Sequence, residues 1–226
     1  MLAAFTLIPF RPRRFLVSAG ATFESVDEVR RLTNFSTGRL GTLLANQLVA
    51  AGHDVTLIRS ETAVAPAPVH AVRTMGFSTT GDLRRAFEGL ATVEPVVVLH
   101  AAAVGDYGCG GVHVRRADGT MEPMTGGKIP TRAGEVWLRL VPAPKILPML
   151  RGWFPNGRIV GWKYEVDGTR GEALERGRSQ LKASRSDACV VNGPAHGPGF
   201  TLVRGDAEDV LMRDATELAG WIGCWG

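Results

Sequence analysis

"SAGATFESVDEVRRLTNFSTGRLG", residues Ser18–Gly41, joins the end of one apolar run to the start of another. Upstream, FLVSA (Phe15–Ala19) has the character of a buried strand. Downstream, Leu40, Leu43, Leu44 and Leu48 recur at helical spacing, so Gly38–Gly52 reads as a helix with Gly52 as its stop. DVTLI (Asp54–Ile58) reads as the next strand. A strand–loop–helix–strand unit implies a parallel pair with a right-handed crossover. The link itself is unusual. A dinucleotide-binding turn crosses this gap in a few residues with closely spaced glycines. Here Gly20 stands alone, the next glycine is Gly38, and the chain between carries acids, arginines, an asparagine and hydroxyls.

The pattern continues through the chain. Val69–Arg73 is expected as a third strand and Asp82–Leu90 as a helix. PVVVLHA (Pro95–Ala101) is continuously apolar, as a central parallel strand should be. Val104–Thr131 is rich in glycine and polar residues without apolar periodicity, and is expected as one long functional loop. Strands are expected at Glu135–Leu140, Arg158–Trp162 and Ala188–Asn192, and helices at Lys145–Trp153, Glu172–Lys182 and Asp214–Ile222. Phe200–Arg204 and Val210–Met212 read as a hairpin. The whole chain, 1–226, is therefore expected to form one α/β domain. Its core would be a doubly wound, mostly parallel Rossmann-like sheet with helices on both faces and a C-terminal hairpin.

Composition narrows the function. The chain is 45% hydrophobic and 21% charged, enough for one large core. No apolar run reaches the roughly 18 residues that a membrane span requires. Met1–Phe10 is apolar but short, with its arginines following it, and is expected as a tail or edge element rather than a secretory signal. Cys109, Cys189 and Cys224 are far apart and form no CxxC pair, and the five histidines show no ligand spacing, so no protein-held metal is expected. The expected compartment is the cytoplasm. The net charge of +4 suits an anionic ligand or a mildly basic surface, while scattered basic residues argue against nucleic acid.

In such a sheet, ligands bind beyond the carboxyl ends of the strands. Four loops with unusual polar content leave those ends: 20–37, 102–128, 162–168 and 192–198. A nicotinamide-dependent reductase is one reading of this architecture. The lone Gly20 argues against it, as does the lack of a Tyr-xxx-Lys pair, since Gly111 and Gly168 stand four residues after Tyr107 and Tyr164.

Five further stretches follow the opening one, itself closed by Asn34–Gly41, in order: AAAVGDY (Ala101–Tyr107), KIP (Lys128–Pro130), LVPAPKIL (Leu140–Leu147), GWKYE (Gly161–Glu165) and DACVVN (Asp187–Asn192). Together they resemble phosphopantothenoylcysteine synthetase, the phosphopantothenate–cysteine ligase of coenzyme A biosynthesis. The resemblance covers nearly the whole chain. It implies that 4'-phosphopantothenate attacks a nucleoside triphosphate in the presence of Mg2+, and that L-cysteine then displaces the nucleotide from the acyl intermediate.

The resemblance assigns roles residue by residue. Asn34 would handle the acyl intermediate, the alternative being a helix cap. Lys128 would contact the nucleotide phosphates. Arg30, Ser36, Thr37, Gly38 and Arg39 would receive phosphate. Gly20, Asp106, Pro144, Lys145, Ile146 and Leu147 would line the nucleotide site, and Trp162 would stack on a base or belong to the core. CTP is the expected nucleotide. The lysine in Trp162-Lys163-Tyr164-Glu165 looks like the eukaryotic, ATP-using branch and keeps ATP open. Two lysines that bacterial members place on the following helix are Gln180 and Ser184 here, with Lys182 and Arg185 nearby as substitutes. The resemblance further implies a homodimer and a separate decarboxylase acting on the product. These departures also admit a catalytically inactive, nucleotide-binding relative.

Overall fold

The structure, a computed structural model, describes residues 11–69, 72–205 and 207–225. The element expected within Met1–Phe10 lies outside the described residues. In chain order the elements are strands β1 (Arg14–Ala19), β2 (Phe23–Ser25) and β3 (Arg31–Thr33), helix α1 (Arg39–Ala50), strands β4 (Asp54–Ser60) and β5 (Arg73–Phe77), and helix α2 (Thr80–Gly89). Strands β6 (Val97–His100), β7 (Tyr107–Arg115), β8 (Met121–Pro123) and β9 (Glu135–Pro142) follow, then helix α3 (Ile146–Trp153), strand β10 (Arg158–Tyr164) and helix α4 (Arg170–Ser184). Strands β11 (Ala188–Asn192), β12 (Phe200–Val203) and β13 (Val210–Met212) and helix α5 (Ala215–Cys224) complete the fold.

Eight strands form the main sheet in the order β13-β12-β11-β10-β6-β1-β4-β5. The six from β11 to β5 are parallel. The C-terminal hairpin β12–β13 extends the sheet antiparallel. Both faces of β1 are buried. Phe15, Val17 and Ala19 meet α1 and α5 on one face, and Leu16 meets α2 and α3 on the other. Burial on both sides explains why β1 and β6 read as continuous apolar runs rather than as alternation. Helix α4 covers β11 through Ala173, packed with Cys189 and Val191.

The chain winds outward in opposite directions from the β1–β6 pair, so its topological switch lies between them. Helix α1 leaves this edge in close contact with β1. A Cβ on Gly41 would lie 2.6 Å from Ala19 Cβ and 2.9 Å from the Ser18 carbonyl, so only glycine permits the approach.

Two expectations need correction. The third strand is Arg73–Phe77, not Val69–Arg73. Val69 is exposed and donates its N–H to Asn46 Oδ1, while His70 and Ala71 lie outside the described residues. The strand must run almost directly into the Thr79–Asp82 capping box of α2, and Phe77 supplies its buried anchor. The stretch 104–131 is likewise not a structureless loop. Strand β7 pairs with both β8 and β9 in a separate three-stranded antiparallel arm, order β8-β7-β9. Its pairing shifts register between Cys109 and Val112, where Gly111 takes a φ of 129°. Most of the arm is exposed, so it carries no core period to read.

At the switch, buried Ser18 and His100 satisfy each other. Ser18 Oγ lies 2.9 Å from His100 Nδ1 and accepts the Ala102 N–H at 3.2 Å. Burial alone pushes the His100 imidazole down to about 4. His53 is lowered in the same direction, by burial and then by Arg13. An imidazole kept neutral in the fold binds fewer protons than the unfolded chain, so its contribution is complete above the unfolded value and falls as pH drops toward the folded one. Stability is therefore expected to fall between pH 6.5 and 4, by about 3 kcal/mol from His100 at the lower limit. Denaturant unfolding of the wild type and of His100→Gln across that range checks this, and the variant should show a flatter profile.

Candidate active site

Three loops converge where β1 and β6 part. Gly20 turns the chain at φ 94°, and a Cβ there would lie 2.6 Å from Ser60 Cβ. Ala103 N–H donates to the Gly20 carbonyl at 2.8 Å, and Thr22 N–H donates to the Ala103 carbonyl at 3.1 Å. Thr22 is the fastener. Its Oγ1 accepts from Gly105 N–H (3.0 Å) and from Thr80 Oγ1 (3.2 Å), while its carbonyl accepts from Thr33 Oγ1 (2.9 Å). Sequence reading passed over Thr22, because a buried hydroxyl that ties loops together carries no periodic signal.

The long polar loop is itself built. Strands β2 and β3 form a short antiparallel hairpin whose turn is held by Asp27. Asp27 Oδ1 accepts the Val29 N–H (2.9 Å) and the Arg30 N–H (2.7 Å), an Asx-type turn. Its Oδ2 accepts the Ile129 N–H at 3.0 Å and a guanidinium N–H of Arg30. The Ile129 bond, followed by the other three acting against burial, holds the Asp27 carboxyl down to about 2.

Beyond the hairpin lie Asn34, exposed, then Ser36, Thr37 and Gly38. Gly38 caps α1 with a φ of 79°, and no side chain caps this helix. Asn34 is thus not a helix cap, and its amide makes no hydrogen bond among the described residues. Thr37 Oγ1 accepts the Arg39 N–H at 3.3 Å, and the Thr37 carbonyl accepts the Ala65 N–H at 3.0 Å. Arg39 is exposed and unpaired among the described residues.

Lys128 lies on the return of the arm toward this loop. It is exposed and has no ion-pair partner among the described residues. Its neighbours are held on both sides: Glu28 N–H donates to the Gly127 carbonyl at 2.9 Å, and Arg30 Nη2 donates to the Ile129 carbonyl at 3.3 Å. Arg30 is committed to Asp27 and Ile129, with its guanidinium half exposed.

Asp106 and Lys145 meet in an exposed ion pair at the root of the arm, where Ala143 N–H also donates to the Asp106 carbonyl at 2.9 Å. Lys145 is the N-cap of α3, and its side chain does not cap the helix, so the first amides of α3 are open at this edge. The Ile146 side chain is core, Leu147 packs partly buried against the same cluster, and Pro144 is exposed. Trp162 packs against the α1–α5 core with its indole N–H buried and unpartnered. Burial works to raise the Glu165 carboxyl, but Arg176 and Lys163 outweigh it and hold it below the usual range, so Lys163 is committed as well.

Gln180 and Ser184 face inward. Gln180 Nε2 donates to the Trp162 carbonyl at 3.0 Å, and Ser184 Oγ to the Gln180 carbonyl at 2.7 Å. Lys182 and Arg185 lie on the same last turns of the helix. They fall at the end of α4, which returns the chain to the amino end of β11, the opposite edge of the sheet. Among the described residues no group of three or more His, Cys, Asp and Glu could hold a metal. No helix among them is long and apolar enough to cross a membrane. Burial pushes the Cys189 thiol up to about 12, too high for a nucleophile at neutral pH.

Residues 10–217 match the family described as DNA/pantothenate metabolism flavoprotein C-terminal domain. The chain belongs to this family. It is 31% identical over 182 residues to the coenzyme A biosynthesis bifunctional protein CoaBC of Thermococcus kodakarensis, covering 80% of this chain and 41% of that one. With the protein of the same description from Mycobacterium tuberculosis it shares 34% over 211 residues, covering 92% and 48%. The chain thus spans under half the length of these relatives. In three dimensions it resembles the DNA/pantothenate metabolism flavoprotein of Streptococcus pneumoniae, with a TM-score of 0.77 at 24% identity, covering 93% and 96%. It also resembles a Cab2 mutant in complex with phosphopantothenate-cysteine, with a TM-score of 0.68 at 18% identity, covering 91% and 83%.

Within this flavoprotein C-terminal domain, the unbonded Asn34 amide has a measurable consequence. Asn34→Ala removes no cap and no hydrogen bond, so its stability should stay within about 0.5 kcal/mol of wild type. A larger loss in denaturant unfolding would return Asn34 to a structural role.

Proposed function

We propose that this domain joins 4'-phosphopantothenate to L-cysteine through an acyl-nucleotide intermediate, with CTP as the nucleotide. The observation that carries the reading is a pair of uncommitted groups. Among the described residues Asn34 and Lys128 stay free while Arg30, Lys145 and Lys163 are paired, and the β2–β3 hairpin links the two segments, running into Asn34 at its open end and meeting Gly127 and Ile129 at its turn. Membership of a pantothenate-metabolism family and the phosphopantothenate-cysteine held by the Cab2 mutant favour the same substrates.

In the first step a carboxylate oxygen of phosphopantothenate attacks the α-phosphorus. The bond to the bridging oxygen breaks, and pyrophosphate leaves with the electron pair. Lys128 offsets the charge growing on that leaving group. The open amides of α1 and α3, with Ser36, Thr37 and Arg39, receive phosphate oxygens. In the second step the cysteine amine attacks the acyl carbon, the nucleoside monophosphate departs, and the nitrogen loses a proton. Asn34 donates its amide N–H to the acyl oxygen as charge builds there. Mg2+ would arrive on the triphosphate, whose charge it shields, since the described residues offer no metal cluster of their own. A cytoplasmic setting suits the three free cysteines.

The decisive assay is pyrophosphate release from CTP or ATP with phosphopantothenate, cysteine and magnesium. Release that depends on phosphopantothenate and is faster with CTP is expected. Nucleotide binding without release would indicate an inactive relative, and equal rates with ATP would sink the CTP preference. Losing one such electrostatic contact costs on the order of 3 kcal/mol, so Lys128→Ala should slow pyrophosphate release about a hundredfold. Asn34→Ala should spare that step and let acyl-nucleotide accumulate, visible by quench-flow with labelled phosphopantothenate.

We also propose that the arm pairs two copies of the chain. Tyr107, Val136 and Leu140 are exposed on one face of it and Met121 and Trp137 on the other, large apolar side chains of the kind that mark an interface. Light scattering should report a dimer for the wild type and a monomer for Trp137→Glu. A monomeric wild type would rule this out.

A further inference from the structure

We propose that Asp27 is the positioning residue for Lys128, a clasp that fixes the arm's return segment to the hairpin turn beside the Asn34 loop. The Asp27 side chain is only 3% exposed, and its two oxygens face different parts of the chain. Oδ1 is spent within the turn, on the Val29 and Arg30 amides. Oδ2 reaches 102 residues along the chain to the Ile129 amide and also holds the Arg30 guanidinium. That guanidinium continues to the Ile129 carbonyl, and the Glu28 amide takes the Gly127 carbonyl. Lys128 is therefore gripped through the residue before it and the residue after it, while its own side chain remains free.

The grip matters because the segment has little else to hold it. Gly126, Gly127 and Lys128 are all exposed, and the two glycines give the backbone wide freedom. A lysine on such a segment would sample many positions, and an ammonium contributes to a developing charge only where it is already placed. The carboxylate that supplies the placement stays ionised throughout the neutral range, so the clasp is permanently set.

Asp27→Asn tests this with little collateral change. The amide oxygen can keep the two bonds of the Asx turn, while the NH2 group opposes two donors, the Ile129 N–H and the Arg30 guanidinium. The chain has four lysines, Lys128, Lys145, Lys163 and Lys182, so endoproteinase Lys-C gives a short, assignable map. In a variant that melts near wild type, cleavage after Lys128 should accelerate about tenfold or more while the other three sites stay unchanged, as local opening requires. The kinetic part rests on the ligase reading. Asp27→Asn should slow pyrophosphate release in the wild-type background yet change it less than about twofold in the Lys128→Ala background, because both substitutions act through one group. Unchanged cleavage after Lys128, or an undiminished penalty in the Lys128→Ala background, would overturn the clasp. If no variant and no wild type releases pyrophosphate, the ligase reading fails and the proteolysis result alone decides the clasp. Should Asp27→Asn fail to fold, hydrogen exchange in the unmodified protein decides it. The Ile129 amide must be protected although its segment is exposed, and free exchange there would overturn the clasp.

Discussion

Two backbone hydrogen bonds carry the pairing of β1 and β6 past its last regular residue: Ala103 N–H to the Gly20 carbonyl, and Thr22 N–H to the Ala103 carbonyl. Everything at the proposed site hangs from them. Beyond these bonds the two strands feed elements on opposite sides of the sheet, so a cleft opens without any residue being removed from the core. Thr22 then fastens the roots of the loops from β1, β6 and β5 together, and the side chains farther out inherit a fixed starting point. Ser18 and His100 serve the same junction from below, where an unmatched hydroxyl or imidazole in the core would be costly.

From that junction the distribution of charge decides what the edge can do. Most cations near it are already spoken for, Arg30 by Asp27, Lys145 by Asp106, Lys163 and Arg176 by Glu165. The exposed pairs contribute little to stability, on the order of 1 kcal/mol or less. What they do is remove charge from places where a polyanion would otherwise bind indiscriminately. The excess that remains at the edge is concentrated in Lys128, Arg39 and the amino ends of α1 and α3, which is where phosphate would have to go. The Asp106–Lys145 pair is exposed enough to exchange partners, so a nucleotide could take either member without a desolvation penalty.

The parts of this arrangement that were legible in the sequence are those that bury apolar surface. β1, β6, α1 and β11 announce themselves because each must face a core on one or two sides, and the switch-point edge follows from their order. The arm was not legible. Its strands pair mainly by backbone, with only exposed side-chain ties such as Arg115–Glu135 and Arg139 to the Gly110 carbonyl, Gly108, Gly110 and Gly111 interrupt the first of them, and Val112 is its one buried apolar side chain among the described residues. The misplaced third strand has the same origin, since Val69 is an apolar residue left in solvent and Arg73 a charged one in a strand. Asn34 and Lys128 were found by resemblance, not by physics, and neither has a contact that periodicity could foretell. Thr22 and Asp27 were passed over as candidates although each organises more of the site than any residue that was named. An aspartate two and three residues before Val29 and Arg30 is a recognisable Asx-turn signal, but its second oxygen's partner lies too far along the chain for any local pattern to reveal.

The length of the first loop follows from the same reasoning. A dinucleotide fold needs one anion held close to one helix terminus, and a few glycines suffice. A reaction that forms an acyl phosphate and then an amide develops charge at two places in succession, first on departing pyrophosphate and later on an acyl oxygen. A cation suits the first, because the leaving group carries the charge away with it. A neutral amide suits the second, since a cation there would stabilise the bound acyl phosphate as well as its transition state and gain little rate. One side chain cannot serve both, and two of opposite character must be brought to one edge from segments far apart in sequence. In the ligase reading the β2–β3 hairpin bridges that separation: Asn34 follows its second strand, and its turn meets the segment that bears Lys128.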